Sequence, residues 1–303
     1  MTLPRLLLLA LAACLSIAAC GRAPGEAPPQ NGTPGSAPVP RIVTLSPALA
    51  VIIRDLGLAE RIVGRDGFDM VLDPAVPVCG DYNGIDYERL ARVNPTHILM
   101  QWGARERPRR LEDMARQRGW IIRDFSILNL DEIPAATLDL AQLLGVEERG
   151  RALADDMHAA WKRRPGVESA GRILLLGSAS PPSALGPASW HHQMLERIGG
   201  TPALREGGAF VRLDSEDVLR LAPDAIILFS PAPARTSHRG VVKGAGALPA
   251  LGGLARLDIP AIRNGRVAMI DDPLGLTPST AMIGVGNGLA ELLAEWAATG
   301  EAR

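Results

Sequence analysis

Residues 131–164 read DEIPAATLDLAQLLGVEERGRALADDMHAAWKRR, and this stretch decides the fold. Its second half places Leu153, Met157 and Trp161 four residues apart, on one face of a helix. Gly145 interrupts the pattern and divides the stretch into two helices. At 1.5 Å per residue the second helix is about 25 Å long, roughly the width of a small domain. We therefore predict a rigid connecting helix between two lobes.

The segments on either side of residues 131–164 repeat one another. DYERLARVNPTHILM, residues 86–100, aligns without a gap on DSEDVLRLAPDAIIL, residues 214–228, and Asp, Glu, Arg, Pro and Ile recur in register. The first strand of each half repeats as RIVTL at 41–45 and RILLL at 172–176. Such self-similarity indicates two copies of one α/β unit.

Strands alternate with helices in both halves, which is typical of a mostly parallel sheet covered on both faces. The predicted fold class is α/β, with two lobes joined by the connecting helix. The predicted division is a signal peptide at 1–19, a lipidated Cys20 with a disordered tether at 20–40, an N-terminal lobe at 41–130, connecting helices at 131–164 and a C-terminal lobe at 165–303. Loops are predicted at 177–189, 206–213 and 231–247.

Length and charge narrow the functional classes. The 303 residues suffice for two domains, at about 150 residues each. The net charge of −1 gives no electrostatic reason to expect a nucleic acid, whose binding would need a basic face. We expect a monomer that does not bind nucleic acid.

The first twenty residues have the pattern of an export signal. Arg5 precedes an apolar run at 6–19, which is too short to span a bilayer comfortably and ends in small residues. We predict a secretory signal peptide, and therefore an exported protein. No later stretch reaches eighteen uncharged apolar residues.

IAAC at 17–20 resembles the lipobox of bacterial lipoproteins, which implies that Cys20 is lipid-modified and becomes the first residue. Cys14 is an alternative site, but cleavage before it would leave an apolar core of only eight residues. A soluble exported protein with an incidental cysteine is a further alternative. Residues 21–40 are rich in Pro, Gly and Ala, which favours a disordered tether. We expect a lipid-anchored protein on the periplasmic or cell-surface side of a membrane.

Cys79 is the only cysteine in the predicted folded part. One thiol cannot form an internal disulfide, and the spacing of a zinc or redox site is absent. We predict that Cys79 is a small buried hydrophobic residue.

Six segments in order resemble the class III substrate-binding proteins of ABC importers, which carry ferric siderophores, haem and vitamin B12. The segments are RIVTLSP at 41–47, LGLAERIVG at 56–64, the block at 87–100, LLGVEE at 143–148, the block at 216–228 and IRNGRV at 262–267. The resemblance covers about residues 41–295. It implies two lobes with a ligand held between them, a membrane permease as partner, no cofactor and no enzymatic activity.

Glu88 and Glu216 occupy equivalent positions in the two repeats. The family resemblance implies that each pairs with Arg residues of the permease, and two separated carboxylates can fix orientation as well as attraction. The alternative is that they only cap their helices or complement the helix dipole.

Aromatic residues fall in or next to loops that leave the carboxyl ends of strands, where open α/β sheets bind ligands. They are Phe68, Tyr82, Trp102, Trp190 and Phe210. A large flat chelate needs broad apolar contact with a few polar groups, and aromatic side chains supply both. Packing beneath a loop is the alternative for any single residue.

The resemblance leaves vitamin B12 or another corrinoid and a ferric siderophore as ligands. Haem is disfavoured, because haem-binding relatives use a Tyr near Tyr82 but its spacing to Glu88 follows the non-haem pattern. Arg105, Arg212 and Arg235 lie in or near the same loops and can meet anionic groups of a ligand, although solvation is the commoner role of Arg.

His191, His192 and Glu196 form the one cluster with metal-like character. Adjacent helical residues point about 100° apart, so the two His residues cannot easily bind one ion. The alternatives are a polar start of a helix, contact of His191 or His192 with the chelate or its metal, a free-metal receptor, and a zinc-dependent lipoprotein enzyme using all three residues. We predict no catalytic residue, and treat the two His residues as weak metal candidates.

Overall fold

The computed structural model describes residues 39–103, 105–229 and 240–300. The predicted signal peptide, Cys20, most of the tether and Arg235 lie outside the described residues. No helix in the described part is long and apolar enough to cross a membrane.

The first sheet belongs to the N-terminal half and is almost entirely parallel. Its strands are β1 (Ile42–Leu45), β2 (Ile62–Asp66), β3 (Val78–Asp81), β4 (Gly84–Ile85), β5 (His97–Met100) and β6 (Ile121–Asp124). Their order is β4-β3-β2-β1-β5-β6, and only β3 and β4 pair antiparallel. The accompanying helices are α1 (Pro47–Asp55), a 3-10 turn (Ala59–Arg61), α2 (Tyr87–Val93) and α3 (Arg109–Arg118).

Two helices connect the halves, α4 (Glu132–Leu144) and α5 (Glu147–Ala160). The break at Gly145 is confirmed, with Gly145 in the left-handed region at φ 71°. The two helices pack closely at Gly150, where a Cβ would lie 2.2 Å from that of Ala141. The connection is therefore a packed pair of helices and not one continuous helix.

The second sheet has a parallel centre and antiparallel additions. Its strands are β7 (Arg172–Ala179), β8 (Pro182–Leu185), β9 (Thr201–Pro202), β10 (Phe210–Arg212), β11 (Ala225–Phe229), β12 (Gly240–Lys243) and β13 (Val267–Asp271). The path is β10-β8-β7-β11-β13-β12, with β9 beside β7. The helices are α6 (Trp190–Ile198), α7 (Ser215–Leu221), α8 (Pro260–Arg263) and α9 (Met282–Gly300), with 3-10 turns at Val167–Ala170, Gly244–Gly246 and Leu248–Arg256.

The predicted loops at 177–189, 206–213 and 231–247 are wrong in part, because β8, β10 and β12 lie within them. All three strands pair antiparallel with a neighbouring strand. Each has only three or four residues, too few to show a hydrophobic period, so partner strands rather than local sequence define them.

One apolar core runs through both halves and the connecting helices. It joins Leu49 and Ile52 of α1, Met157 of α5, Ile227 of β11 and Leu293 of α9. Trp161 is also fully buried in it. Its indole N–H donates to the backbone oxygen of Met282 at 3.1 Å. The two sheets and the connecting helices therefore share one buried core.

Polar contacts reinforce this join at its surface. The Arg197 guanidinium binds both carboxylate oxygens of Asp131, at 2.6 and 2.7 Å. The Gln193 side chain accepts from the backbone N–H of Leu130 at 2.8 Å. Cys79 is fully buried in the N-terminal half, which confirms its predicted place in the core.

Candidate ligand-binding site

Three predicted ligand residues follow parallel strands of the first sheet. Phe68 comes after β2, Tyr82 after β3 and Trp102 after β5. Because these strands are parallel, their carboxyl ends share one edge of the sheet. The structure therefore brings the three aromatic residues to the same edge.

Phe68 and Tyr82 form a stacked pair. Their ring centroids are 5.5 Å apart with an interplanar angle of 22°. Phe68 is 52% and Tyr82 62% exposed, so the pair presents more than half of its surface to solvent. Large exposed apolar rings that are held in a fixed arrangement are typical of a ligand-contacting surface.

Trp102 belongs to the same surface through Arg105. The Arg105 guanidinium lies 4.1 Å from the centre of the Trp102 ring and donates to the backbone oxygen of Tyr82 at 2.7 Å. The Trp102 indole N–H donates to the backbone oxygen of Glu106 at 3.2 Å. These bonds fasten the loop after β5 to the loop after β3. We call Phe68, Tyr82, Trp102 and Arg105 the ring cluster.

Phe210 and Arg212 lie on β10 of the second sheet. Because β7 and β10 both pair antiparallel with β8, they run in the same direction, and Arg212 lies toward the end at which β7 finishes. Phe210 is 60% exposed. Arg212 is exposed and makes no ion pair within the described part of the chain.

Trp190 and His191 do not share this exposure. Trp190 is half-buried against the apolar core. His191 is 1% exposed, its Nε2 lies 2.6 Å from the backbone oxygen of Gly275, and its ring packs on Phe229. Burial lowers the pKa of His191 to about 4, so its imidazole is neutral near pH 7. The structure corrects the prediction for His191, which is inaccessible to a ligand.

His192 is also buried, at 3% exposure, so the polar start of this helix does not face solvent at its two histidines. Both histidines are covered because α6 packs its first turn into the protein. His192 Nε2 lies 3.6 Å from a carboxylate oxygen of Glu196, and burial is the main cause of its lowered pKa. Across residues 39–103, 105–229 and 240–300, no group of three or more His, Cys, Asp or Glu residues is arranged to hold a metal ion. The described residues therefore supply no set of metal ligands for the metal-receptor and zinc-enzyme alternatives.

Glu88 and Glu216 are exposed in the first turns of α2 and α7. The caps of these helices come from Asp86 and Asp214, whose carboxylates accept backbone N–H groups. Within the described part of the chain, neither Glu forms an ion pair or a side-chain hydrogen bond. Within the described residues neither Glu caps its helix through its side chain, both lie in a first turn where a carboxylate complements the helix dipole, and both are exposed.

Two residues near the ring cluster were not predicted as site residues from the sequence. Met70 is 61% exposed two residues after Phe68. Asp66 is only 2% exposed at the end of β2, and burial raises its pKa to about 6. The sequence signal for Asp66 was an acidic residue followed by Gly at the end of a strand.

Comparison with known proteins gives one family and several similar folds. The family model described as periplasmic binding protein matches residues 42–274. No curated protein sequence matches the chain.

The similar solved structures include three named binding proteins. The periplasmic haem-binding protein BhuT, in complex with two haems, is 21% identical with a TM-score of 0.65, over 85% of this chain and 99% of that one. Haem-binding RhuT from Roseiflexus sp. RS-1 is 23% identical with a TM-score of 0.63, at 85% and 99% coverage. The vitamin B12 binding protein BtuF of Vibrio cholerae is 17% identical with a TM-score of 0.59, at 88% and 99% coverage.

These three identities establish likeness of fold alone. The family match carries more, because residues 42–274 are more than half of the chain and run from β1 through β13. It confirms the family resemblance identified from the six segments in order. The chain belongs to the periplasmic binding protein family.

Proposed function

We propose that this protein is the substrate-binding component of an ABC importer, which captures a metal chelate between its lobes and delivers it to a membrane permease. The observation that carries the proposal is the stacked and exposed pair of Phe68 and Tyr82. Covering apolar surface contributes about 25 cal/mol per Å². A flat chelate laid on the rings recovers this free energy, whereas water does not.

The polar groups of the surface complement the charge of such ligands. Arg105 is exposed at the ring cluster, and Arg212 is exposed on β10. A guanidinium group binds carboxylates in a bidentate manner, which suits carboxylate arms of a siderophore or propionates of haem. The amide arms of a corrinoid can accept from the same donors.

The candidate chelates are a corrinoid, a ferric siderophore and haem. Family membership supports an exported protein that binds its substrate without converting it. The spacing of Tyr82 and Glu88 favours a corrinoid or siderophore. Haem is kept among the candidate ligands because BhuT and RhuT are haem-binding proteins of the same fold.

Calorimetric titration of the purified protein tests the proposal. The panel contains aquocobalamin, a ferric hydroxamate, a ferric catecholate and haemin. We expect saturable one-to-one binding of one member, and the member that binds assigns the chelate class. The absence of binding by all four would overturn the proposed function.

Delivery requires a docking surface, and we assign it to Glu88 and Glu216. Their exposure, their lack of partners within the described residues and their equivalent places in the repeat support this role. Lipid attachment at Cys20 stays a prediction from the lipobox resemblance.

A further inference from the structure

Asp66 lies beneath the loop that carries Phe68. It is the last residue of β2 and is 2% exposed. Its carboxylate oxygen Oδ1 accepts the backbone N–H of Phe68 at 2.8 Å. The backbone N–H of Gly67 donates to the backbone oxygen of Gly80 in β3 at 3.0 Å. One buried carboxylate thus holds the backbone of the residue whose ring stacks on Tyr82.

The charged groups around Asp66 do not neutralise it. Asp69 of the same loop and Asp81 at the end of β3 are carboxylates, and Arg65 is the one cation among the described residues that acts on Asp66. The Nε–H group of Arg65 donates to the backbone oxygen of Val76 at 2.9 Å. Asp66 forms no ion pair within the described part of the chain. Burying an unpaired carboxylate is unfavourable, and the carboxylate is compensated mainly by its bond to Phe68.

We propose that Asp66 is a positioning residue of the ligand site, whose ionised carboxylate holds Phe68 against Tyr82 and thereby couples ligand capture to the protonation of this side chain. The inference rests on the proposed function. A carboxylate accepts a stronger hydrogen bond from an N–H group than a carboxylic acid does. Protonation therefore loosens the loop and lowers the affinity for the chelate.

The bond from the Phe68 N–H favours the ionised form of Asp66 and so sets the direction of the pH effect, while burial raises the pKa of Asp66 to about 6 and so sets the pH range. Well above this pH the carboxylate is ionised and the loop is held. Below it the side chain takes up a proton, and ligand binding has to release that proton again. By linkage, affinity falls as the pH drops through about 6.

The test compares affinities near pH 7.5 and near pH 5 for the wild type, Asp66→Asn and Asp73→Asn. Asp73 is the matched control, since its carboxylate also accepts a backbone N–H in this loop region but is exposed. The probe is cyanocobalamin or ferrichrome, because neither changes charge in this range. We expect about fivefold weaker binding by the wild type at the acid pH, and the same loss in Asp73→Asn. In Asp66→Asn the two affinities should be equal.

A measurement without ligand separates this inference from the proposed function. The amide proton of Phe68, followed by NMR, should titrate with a midpoint near 6 in the wild type and stop titrating in Asp66→Asn. Equal pH dependence of binding in wild type and Asp66→Asn, or a Phe68 amide that does not titrate, would overturn the inference alone. Wild-type protein that binds neither probe, nor any other chelate of the panel, at either pH would overturn the proposed function and the coupling with it. If Asp66→Asn does not fold, the wild-type titration of the Phe68 amide decides.

Discussion

The two halves of the protein keep an equivalent bond between the start of the first repeated strand and the end of the following repeated helix, α2 or α7. In the first half, the guanidinium Nε of Arg41 donates to the backbone oxygen of Asn94, directly after α2, at 3.2 Å. In the second half, Nη2 of Arg172 donates to the backbone oxygen of Ala222 at the end of α7, at 2.8 Å. Even the left-handed end residues match, with Asn94 at φ 42° and Ala222 at φ 41°. The repeat therefore preserves this contact and the backbone conformation at the helix end.

The halves differ beside the first strand of each repeat. In the N-terminal half, β2 and β3 continue the parallel sheet, and their carboxyl ends carry Phe68 and Tyr82. In the C-terminal half, antiparallel β8 and β10 take that side of β7, and Phe210 lies on a strand instead of a loop. The comparison teaches that the repeated part positions α2 and α7 with their equivalent glutamates, while the exposed aromatic residues lie in the part that differs.

The largest effect is expected at the equivalent glutamates. The double substitution Glu88→Ala and Glu216→Ala should abolish uptake of the chelate while the dissociation constant of the purified protein stays unchanged. Each carboxylate lost from a pairing with an Arg side chain removes about 2 kcal/mol of docking free energy. Uptake by cells carrying the importer measures this.

The matched control for docking is Glu60→Ala with Glu291→Ala, two exposed carboxylates outside α2 and α7. The control should transport normally. The single variants sharpen the comparison, because equal losses mean that both halves contribute equally to docking. Normal uptake by the Glu88 and Glu216 double variant would remove the docking assignment.

A smaller effect is expected on the ligand surface, where the halves differ. Phe68→Ala should weaken chelate binding about tenfold, since it removes one ring of a preorganised pair. Phe210→Ala should weaken binding about threefold, because its ring has no stacking partner within the described residues. Calorimetry measures both changes.

Leu128→Ala, at a 69% exposed apolar residue outside the ring cluster, should leave affinity unchanged. A larger loss in Phe210→Ala than in Phe68→Ala would reverse the assignment of the main ligand surface.

The smallest effect concerns the two helix caps. Asp214 and Asp217 form a reciprocal capping box at 2.8 and 3.0 Å, whereas Asp86 accepts a single backbone bond at 2.9 Å. Asp214→Ala combined with Asp217→Ala, which removes both bonds of the box, should lower the free energy of unfolding by about 1.5 kcal/mol, and Asp86→Ala should lower it by about 0.7 kcal/mol. Urea denaturation measures the difference.

Asp139→Ala, on the exposed face of α4, should change stability by less than about 0.5 kcal/mol. Equal losses at the two caps would show that the second bond of the box contributes nothing.

Much of the scaffold was predictable from local pattern. Local pattern predicts strands at 97–100 and 225–229 and helices at 190–198 and 215–221, and these bounds agree with β5, β11, α6 and α7 because each carries a cap, a proline or a clear apolar run. Gly145 and Cys79 behave as predicted for the same local reasons. The ring cluster was predicted in its membership, since its residues directly follow strands, but its stacking and its Arg105 contacts were not.

By itself, the sequence determined the α/β class, the internal repeat and the two equivalent glutamates, because those features depend on spacing along the chain. Only the tertiary structure decided that β8 and β10 are strands, that His191 is buried and that Asp66 lies beneath the Phe68 loop. Strand pairing and burial depend on residues distant in the chain, whose free energies outweigh the weak local preferences of three or four residues.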